Sequence, residues 1–579
     1  MRLIKAVIHN VRSISQVEID FDNYALLVGE NNVGKTNILI ALRLFYEDNV
    51  KFDQKSDFPK FETDDNESWV ELHFLTTLEE QSGLKKEYHS SDNILRVRRY
   101  FLSGTSEMVK TSQSNIYAYE YGKLSANLFY GAKNISQAKL GRIIYIPEIS
   151  KTDETMKLSG PSPFREIINF LMKKVVSQSK CFTSLENAFT TFNDEFRKES
   201  DEEGFSLQTL INDINTSVED WRVNFGVNVN AIRSEDIVKN LLSPYFQDLN
   251  LNKQNVSISS FGQGLQRHII YTLLRLSTKY EDKKTSKKKD FQPDFTLILF
   301  EEPEAFLHPS QQEQLNISLK KLSEDNQQQI VATTHSSIFV SKNTSDLTSL
   351  IKLHKKNDGK TLSFQLDNSD LSNIYDANLS LFKKFSDLLK DVTTSKELKE
   401  KIINKKLGQE TADEDLMLQE ESVKYFLWLD SERSSLFFAK QIILCEGASE
   451  KIFLDFLTNN FWPDLRRKHL YYLDCMGKYN IHRYMNLLGK LRIAHAVIMD
   501  KDENEDVHQV LNDFIHANKN SYTKDIFTFE KDFETFLEIE RSRRPDLKPL
   551  NVLHNYHAKK ISETKVSELK SMVDSLLSV

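Results

Sequence analysis

QIILCEGASE (Gln441–Glu450) and AHAVIMDKD (Ala494–Asp502) decide how this chain of 579 residues is read. Each holds a short apolar run, Ile442–Cys445 and Ala496–Met499, bounded by glycine or charge. Runs of that length, rich in β-branched residues, predict buried strands. Each ends in acid: Glu446 after the first, Asp500 and Asp502 after the second. In an open parallel sheet, ligands lie beyond the carboxyl ends of the strands. Asp500 and Asp502 stand two apart, so an extended chain would point both carboxylates the same way. If the two strands are neighbours, three carboxylates converge. That is costly unless a cation joins them, and an all-oxygen set suits magnesium or manganese. The plainer alternative is two core strands whose acidic ends lie in solvent.

Glu446-Gly447 after a strand, then Glu450, Gly477 after a middle strand, and Asp500-x-Asp502 after a third resemble a Toprim domain. The resemblance covers residues 436–579 and implies a metal-dependent phosphoryl-transfer site.

Length allows three or four domains. Hydrophobic residues make up 39% and aromatics 11%, enough for sizeable cores. No apolar run approaches the roughly 18 residues of a membrane span, and MRLIKAVIHNVRS lacks the apolar region of a signal peptide. The three cysteines, Cys181, Cys445 and Cys475, form no metal-spaced cluster, so a reduced, cytoplasmic setting is expected. A net charge of −8 gives no general affinity for nucleic acid, so any such binding must use local basic patches. Glycine is scarce: 17 residues, where about 7% is usual. Gly29, Gly34, Gly262, Gly264, Gly447 and Gly477 therefore stand out.

Upstream, Leu3–Ile8 and Val17–Phe21 read as strands, and YALLV (Tyr24–Val28) runs directly into GENNVGKT (Gly29–Thr36). Strand, G-x-x-x-x-G-K-T and amphipathic helix follow in the order a phosphate-binding loop requires. Loop N–H groups and the helix N-terminus would face phosphates, Lys35 would neutralise the β/γ charge and Thr36 would hold magnesium. Val70–Phe74, Arg96–Phe101 and Ile143–Ile146 suit an antiparallel layer beside that site. Residues 151–250 change character: FREIINFLMKKVVSQ and LENAFTTFNDEFRKE have helical spacing and suggest a helical insertion.

Ser260-Phe261-Gly262-Gln263-Gly264 then precedes a helix, a second anion-binding nest. FTLILF (Phe295–Phe300) leads into Glu301-Glu302-Pro303-Glu304; one acid can hold magnesium through water and the next can orient an attacking water. Ile330–Thr334 leads to His335. This order resembles an ABC-type ATPase head of the SMC and RecF kind. The resemblance implies ATP contacts from Gly29, Asn31, Asn32, Gly34, Lys35, Thr36 and Asn37. It implies a signature at Ser260, Gly262 and Gly264, a Walker B pair at Glu301 and Glu302, a D-loop at Ala305–Pro309 and a switch histidine at His335. It also implies a homodimer or higher assembly, because the signature of one subunit completes the ATP site of another. Glu301 departs from the usual Asp and SFGQG from LSGGQ. Five lysines within Lys283–Lys289 could touch phosphates or could be a solvated loop.

Residues 365–435 read as a helical connector with a mobile loop at Gly408–Ser422. IHNVRS, VGENNVGKTN, FEEPEAFLHP, TTHSS and LFFAKQIILCEGASE together resemble the OLD (overcoming-lysogenisation-defect) family, whose Gabija-type and retron-linked branches share the head-plus-Toprim architecture. That implies an ATP-regulated, metal-dependent DNA endonuclease acting in anti-phage defence. Glu446, Glu450, Asp500, Asp502 and Glu534 would hold metal, with Thr36 and Glu301 holding the ATP magnesium. Lys560, or Lys559, would stabilise the transition state. Taken alone, Glu534 and this lysine pair read as exposed surface residues.

The expected architecture is thus α/β: an ATPase head (1–150 and 251–364) with a helical insertion (151–250), a connector (365–435) and a Toprim domain (436–579). Alternatives are an SMC/RecF-like repair ATPase and an effector controlled by a partner such as a reverse transcriptase with its RNA, or a helicase.

Overall fold

The computed structural model describes residues 1–48, 50–104, 108–134, 138–148, 179–196, 199–200, 204–227, 295–324, 328–340, 344–409, 429–430, 432–502 and 506–578, with short pieces between 245 and 293. These form two compact units. One comprises Met1–Tyr145, Lys289–Glu304 and His308–Val579; the other comprises Ile146–Lys288 and Ala305–Leu307.

The first unit holds three sheets. Its central sheet runs Thr361–Gln365, Leu350–Lys355, Tyr24–Val28, Gln328–Thr333, Thr296–Glu301, Arg142–Ile146. The strand ahead of GENNVGKT is parallel to both neighbours and buried throughout, as a strand covered on both faces must be. An antiparallel sheet runs Ile14–Asp20, Arg2–Val11, Ser68–Leu75, Ile94–Leu102, Ile116–Glu120, Lys123–Leu128. Helix Lys35–Tyr46 contributes to one continuous core with both sheets, through Ile38, Leu39, Leu42 and Phe45. The antiparallel layer is therefore where the sequence suggested, with one correction. Ile143–Ile146 lies instead at the edge of the central sheet, where Arg142 N donates to Phe295 O.

The third sheet is wholly parallel, in the order Leu470–Asp474, Gln441–Cys445, Ala494–Asp500, Thr523–Phe529. The condition set by the sequence is met: the strands ending at Cys445 and Asp500 are neighbours. Helices Ala448–Asn460, Lys548–His557 and Glu563–Ser578 cover one core through Phe453, Leu457, Val552, Leu569 and Val573. Cys445 is a fully buried member of it.

Within residues 365–435 the described α-helices are Asn368–Lys390 and Lys396–Asn404. Asn378 O accepts from the His482 ring (3.2 Å) and Asn378 Oδ1 from Asn486 (2.8 Å), so the longer helix is bonded to Ile481–Lys490. Lys352, in the strand beside Tyr24–Val28, donates to Phe437 O (2.7 Å) and Ala439 O (3.1 Å) on the approach to Gln441. Burial pushes its pKa down to about 7.

In the second unit, LENAFTTFNDEF falls in helix Lys180–Phe196, as its spacing requires, and Leu207–Ser217 follows, capped by Ser206. The stretch FREIINFLMKKVVSQ, the Lys283–Lys289 run and residues 410–422 of the suggested loop lie outside the described residues. Among the described residues no helix is long and apolar enough to cross a membrane.

Candidate functional site

The phosphate-loop residues are assembled by the central sheet. Tyr24–Val28 ends in the turn Gly29–Gly34, and the helix starts at Lys35. Lys35 Nζ folds back to donate to Gly29 O (3.0 Å) and Glu30 O (2.8 Å). Burial lowers its pKa to about 8, against the pull of Glu302 and Glu304. Thr36 Oγ1 donates to Glu301 Oε1 (2.6 Å) and Tyr145 OH to Glu301 Oε2 (2.5 Å). The glutamate at the expected aspartate position thus reaches the loop threonine directly. His335 Nε2 lies 3.2 Å from Glu302 Oε1. Glu304 accepts from Thr334 Oγ1 (2.8 Å) and His335 N (2.6 Å), while its Oε2 is buried with no hydrogen-bond partner. Asn31 and Asn32 lie exposed on the loop, and Asn37 Nδ2 donates to Ser13 Oγ (2.7 Å). Gly262 and Gly264 belong to the second unit, where a Cβ on Gly264 would lie 3.2 Å from Phe306 O. Ser260 lies outside the described residues.

The loop is propped from below by residues that no sequence motif marks. Thr361 Oγ1 donates to Val33 O (2.9 Å) and meets Ser13 Oγ (2.7 Å). Gly34 sits at φ +109°, and a Cβ there would lie 2.4 Å from Thr361 Oγ1. Gly34→Ala should therefore cost about 1–3 kcal/mol of stability and remove binding of a fluorescent ATP analogue. Denaturation and nucleotide titration of the variant check both.

The acidic residues meet at the carboxyl ends of the parallel strands, in a cavity of about 640 Å³ lined by Glu446, Glu450, Asp500, Asp502 and Glu534. Backbone bonds fix them there. Glu446 N donates to Ile498 O (3.1 Å), and Gly477 N donates to Glu446 O (2.8 Å). Asp500 N donates to Glu446 Oε2 (3.0 Å), and Gly447 N to Glu450 Oε2 (3.2 Å). The extended-chain argument for Asp500 and Asp502 needs correcting. The strand ends at Asp500, and Asp502 takes φ +53°, in a turn held by its N–H to Lys531 O (3.1 Å). Glu534 is buried in the four-residue helix Phe533–Phe536, not exposed on a surface helix. Lys559 and Lys560 follow helix Lys548–His557, are exposed, and do not line the cavity.

Lys478 stands in the middle of the acids. Its side chain is 1% exposed, and Nζ reaches Asp500 O (2.5 Å), Asp502 Oδ2 (2.8 Å) and Glu446 Oε2 (3.6 Å). His508 Nδ1 lies 3.0 Å from Asp502 Oδ2. Burial, then Glu450, Glu446 and Asp502, push the Asp500 pKa up to about 9. Burial, with Glu446 and Glu534 beside it, raises Glu450 to about 7. Burial also raises Glu446, despite the pull of Lys478. Burial would raise Asp502 too, but hydrogen bonds from His508 and Lys478 outweigh it and hold Asp502 well below the usual carboxylate range. Sequence offered only a faint pointer to Lys478, which directly follows the positive-φ Gly477. Lys531, Arg541 and Lys548, also on the cavity wall, gave no pattern at all.

The donor set fits a divalent ion in chemistry: hard carboxylate oxygens, mutually repelling, with Asp500 Oδ1 and Glu534 Oε1 buried and lacking hydrogen-bond partners. Among the described residues, no three His, Cys, Asp or Glu groups stand close enough to chelate one ion without side-chain movement. The Lys478 ammonium supplies positive charge among them instead.

An AAA ATPase domain family matches residues 1–340, and the overcoming-lysogenization-defect-protein-like TOPRIM domain matches 437–502. Endonuclease GajA of Bacillus cereus (strain VD045) is 22% identical over 527 residues, covering 87% of this chain and 75% of its own. Old nuclease of Escherichia phage P2 is 22% identical over 374 residues, covering 61% of this chain and 59% of its own. A solved SMC head bound to the C-terminal winged-helix domain of ScpA gives a TM-score of 0.35 at 12% identity, covering 64% of this chain and 100% of that one. With the ATPase match spanning more than half of its length and the OLD-like TOPRIM match following, the chain belongs to the OLD (overcoming-lysogenization-defect) family.

Proposed function

We propose that this protein is an ATP-regulated, divalent-metal-dependent DNA endonuclease of anti-phage defence. The observation that carries the reading is the convergence of Glu446, Glu450, Asp500, Asp502 and Glu534 at the carboxyl end of one parallel sheet, in one cavity. The names of the relatives, endonuclease GajA and Old nuclease, point the same way. In this reading residues 1–150 and 251–364 are the ATPase head, 151–250 a dimerising insertion, 365–435 the connector and 436–579 the nuclease. Heads pair as a homodimer or higher assembly in the cytoplasm, and a further defence-system partner supplies the trigger.

Glu446, Glu450, Asp500, Asp502 and Glu534 hold the metal. When bound, a divalent ion polarises the scissile phosphodiester and makes an attacking water more acidic. Glu446, directly after the strand Gln441–Cys445, takes a proton from that water in this reading. Lys531, Arg541 and Lys548 line the same cavity as cations for flanking phosphates. Lys560 or Lys559 acts on the transition state only after a movement that brings it to the cavity. At the head, Lys35 and Thr36 bind ATP and its magnesium with Glu301, Glu302 orients water and His335 reads the γ-phosphate. The bonds from Lys352 to the segment entering the nuclease sheet provide a physical route for ATP to bias cleavage.

The test is plasmid cleavage with magnesium or manganese, with and without ATP, for wild type, Asp500→Ala and Lys35→Ala. Cleavage should fall at least 100-fold in Asp500→Ala, while Lys35→Ala should lose the response to ATP. Wild-type-like cutting by Asp500→Ala would move the active site elsewhere.

A further inference from the structure

A second cavity, of about 450 Å³, lies on the antiparallel-sheet side of the first unit, remote in sequence from the TOPRIM acids. Its wall carries Lys51, Lys110 and Lys133 beside Arg99, Phe52 and Phe101. Glu47 is the acid among its lining residues, and it is already bound to Arg99. The ammonium groups of Lys51 and Lys110 are exposed and have no carboxylate partner among the described residues. In a chain of net charge −8, three lysines around one concavity are not the background composition of the surface.

The aromatic pair makes the cavity more than a charged patch. Phe52 and Phe101 stack with centroids 5.4 Å apart and planes at 13°, and both remain partly exposed at the cavity instead of being sealed in the core. A flat apolar platform beside the Lys51 and Lys110 cations suits an unstacked base whose own phosphates lie within reach. Duplex DNA, with its bases stacked inward, cannot use the platform.

The floor is rigid and joined to the nucleotide loop. Arg99, 6% exposed, donates to Leu44 O (3.1 Å) and Phe45 O (2.8 Å) in the last turn of helix Lys35–Tyr46. That helix begins at the phosphate-binding loop. Arg99 Nε is buried without a hydrogen-bond partner.

We propose that this cavity binds single-stranded nucleic acid, one base stacking on the Phe52–Phe101 pair and the adjoining phosphates held by Lys51, Lys110 and Lys133. A strand seated there touches the carboxyl-terminal turn of the helix whose other end faces ATP. The site can thus report the presence of unpaired nucleic acid to the head. It does not depend on the nuclease reading, and its test uses no cleavage.

The experiment is fluorescence anisotropy of a labelled thymidine oligonucleotide with the full chain, in EDTA and without ATP, across a salt series. The Lys51→Glu/Lys110→Glu variant should bind at least tenfold more weakly. Its log K against log salt should be shallower by about 1.4, at about 0.7 for each phosphate no longer neutralised. Phe52→Ala should weaken binding at least fivefold while leaving the salt slope unchanged. No binding by wild type, unchanged binding in the lysine variant, or displacement of the strand by equimolar dTMP overturns the proposal. A strand displaced only by Lys531→Glu/Lys548→Glu lies in the TOPRIM cavity, which also overturns it. Loss of cleavage in Asp500→Ala bears on the nuclease alone.

Discussion

Lys478→Met should destabilise the metal-free protein by about 3–5 kcal/mol, the range for removing one partner from a buried charge network. The ammonium is among the least exposed charged groups described and bridges Glu446, Asp502 and the backbone of Asp500. Methionine keeps an unbranched apolar stem, one atom shorter, and removes the ammonium together with its hydrogen bonds to Asp500 O and Asp502 Oδ2. What remains is a set of carboxylates whose mutual repulsion falls on a low-dielectric site. If the ammonium supplies the charge that a divalent ion supplies when bound, manganese should rescue the variant by more than it stabilises wild type. Chemical denaturation in EDTA and in excess manganese gives both numbers. Equal stability of variant and wild type in EDTA would show that Lys478 does not hold the acids together. Equal gains from manganese would show that ammonium and metal occupy independent places.

The contrast between Lys478 and Asp500 marks what sequence could reveal. Asp500 was legible because it ends a run of apolar residues and strand ends have a known place in parallel sheets. Glu446 followed from the same rule, and GENNVGKT from its flanking strand and helix, whereas the pairing of the Glu446 and Asp500 strands was only a condition that the structure meets. Lys478 was not legible because its meaning comes from a neighbour relation across three strands, set by backbone bonds such as Gly477 N to Glu446 O. Asp502 was placed by the wrong reason. A positive-φ turn pinned to Lys531 brings it in, and alternation along a strand does not extend past the last ladder residue. Glu534 looked exposed because KDFETFL has helical spacing, yet the helix is four residues long and its start is buried under the sheet end. The props under the phosphate loop, Ser13 and Thr361, come from opposite ends of the head. Nothing local marks either. The hairpin Leu350–Gln365 escaped notice for a similar reason: LIKLHKKNDGKTLSFQ is too charged to stand out as a pair of strands, although its first strand is buried against Tyr24–Val28.

In EDTA the wild-type protein should lose stability as pH rises from about 5 to about 9, and Asp500→Asn should flatten that loss. The sign follows from proton counting. Asp500 has a folded pKa of about 9 and an unfolded value near 3.9, so between them the folded state binds the extra proton. Stability is then full at low pH and drains away as pH climbs towards the folded value. Glu450, raised to about 7, acts in the same sense over the lower part of that window. Asp502 runs the other way: its contribution is present above about pH 4 and is lost only as pH falls through its depressed folded value, outside the window. Asparagine cannot ionise, so at pH 8 and without metal Asp500→Asn should be more stable than wild type by about 1–3 kcal/mol, the usual cost of an uncompensated buried polar or charged group. The same substitution should abolish the gain from manganese, which in wild type should grow with pH because metal binding displaces the protons that Asp500 and Glu450 hold. A flat wild-type profile in EDTA, or an equal manganese gain in the asparagine variant, would mean that these carboxylates are not charged against one another and do not share an ion. The expected pattern is that of a functional site: the arrangement that weakens the empty fold is the one that makes the cation bind.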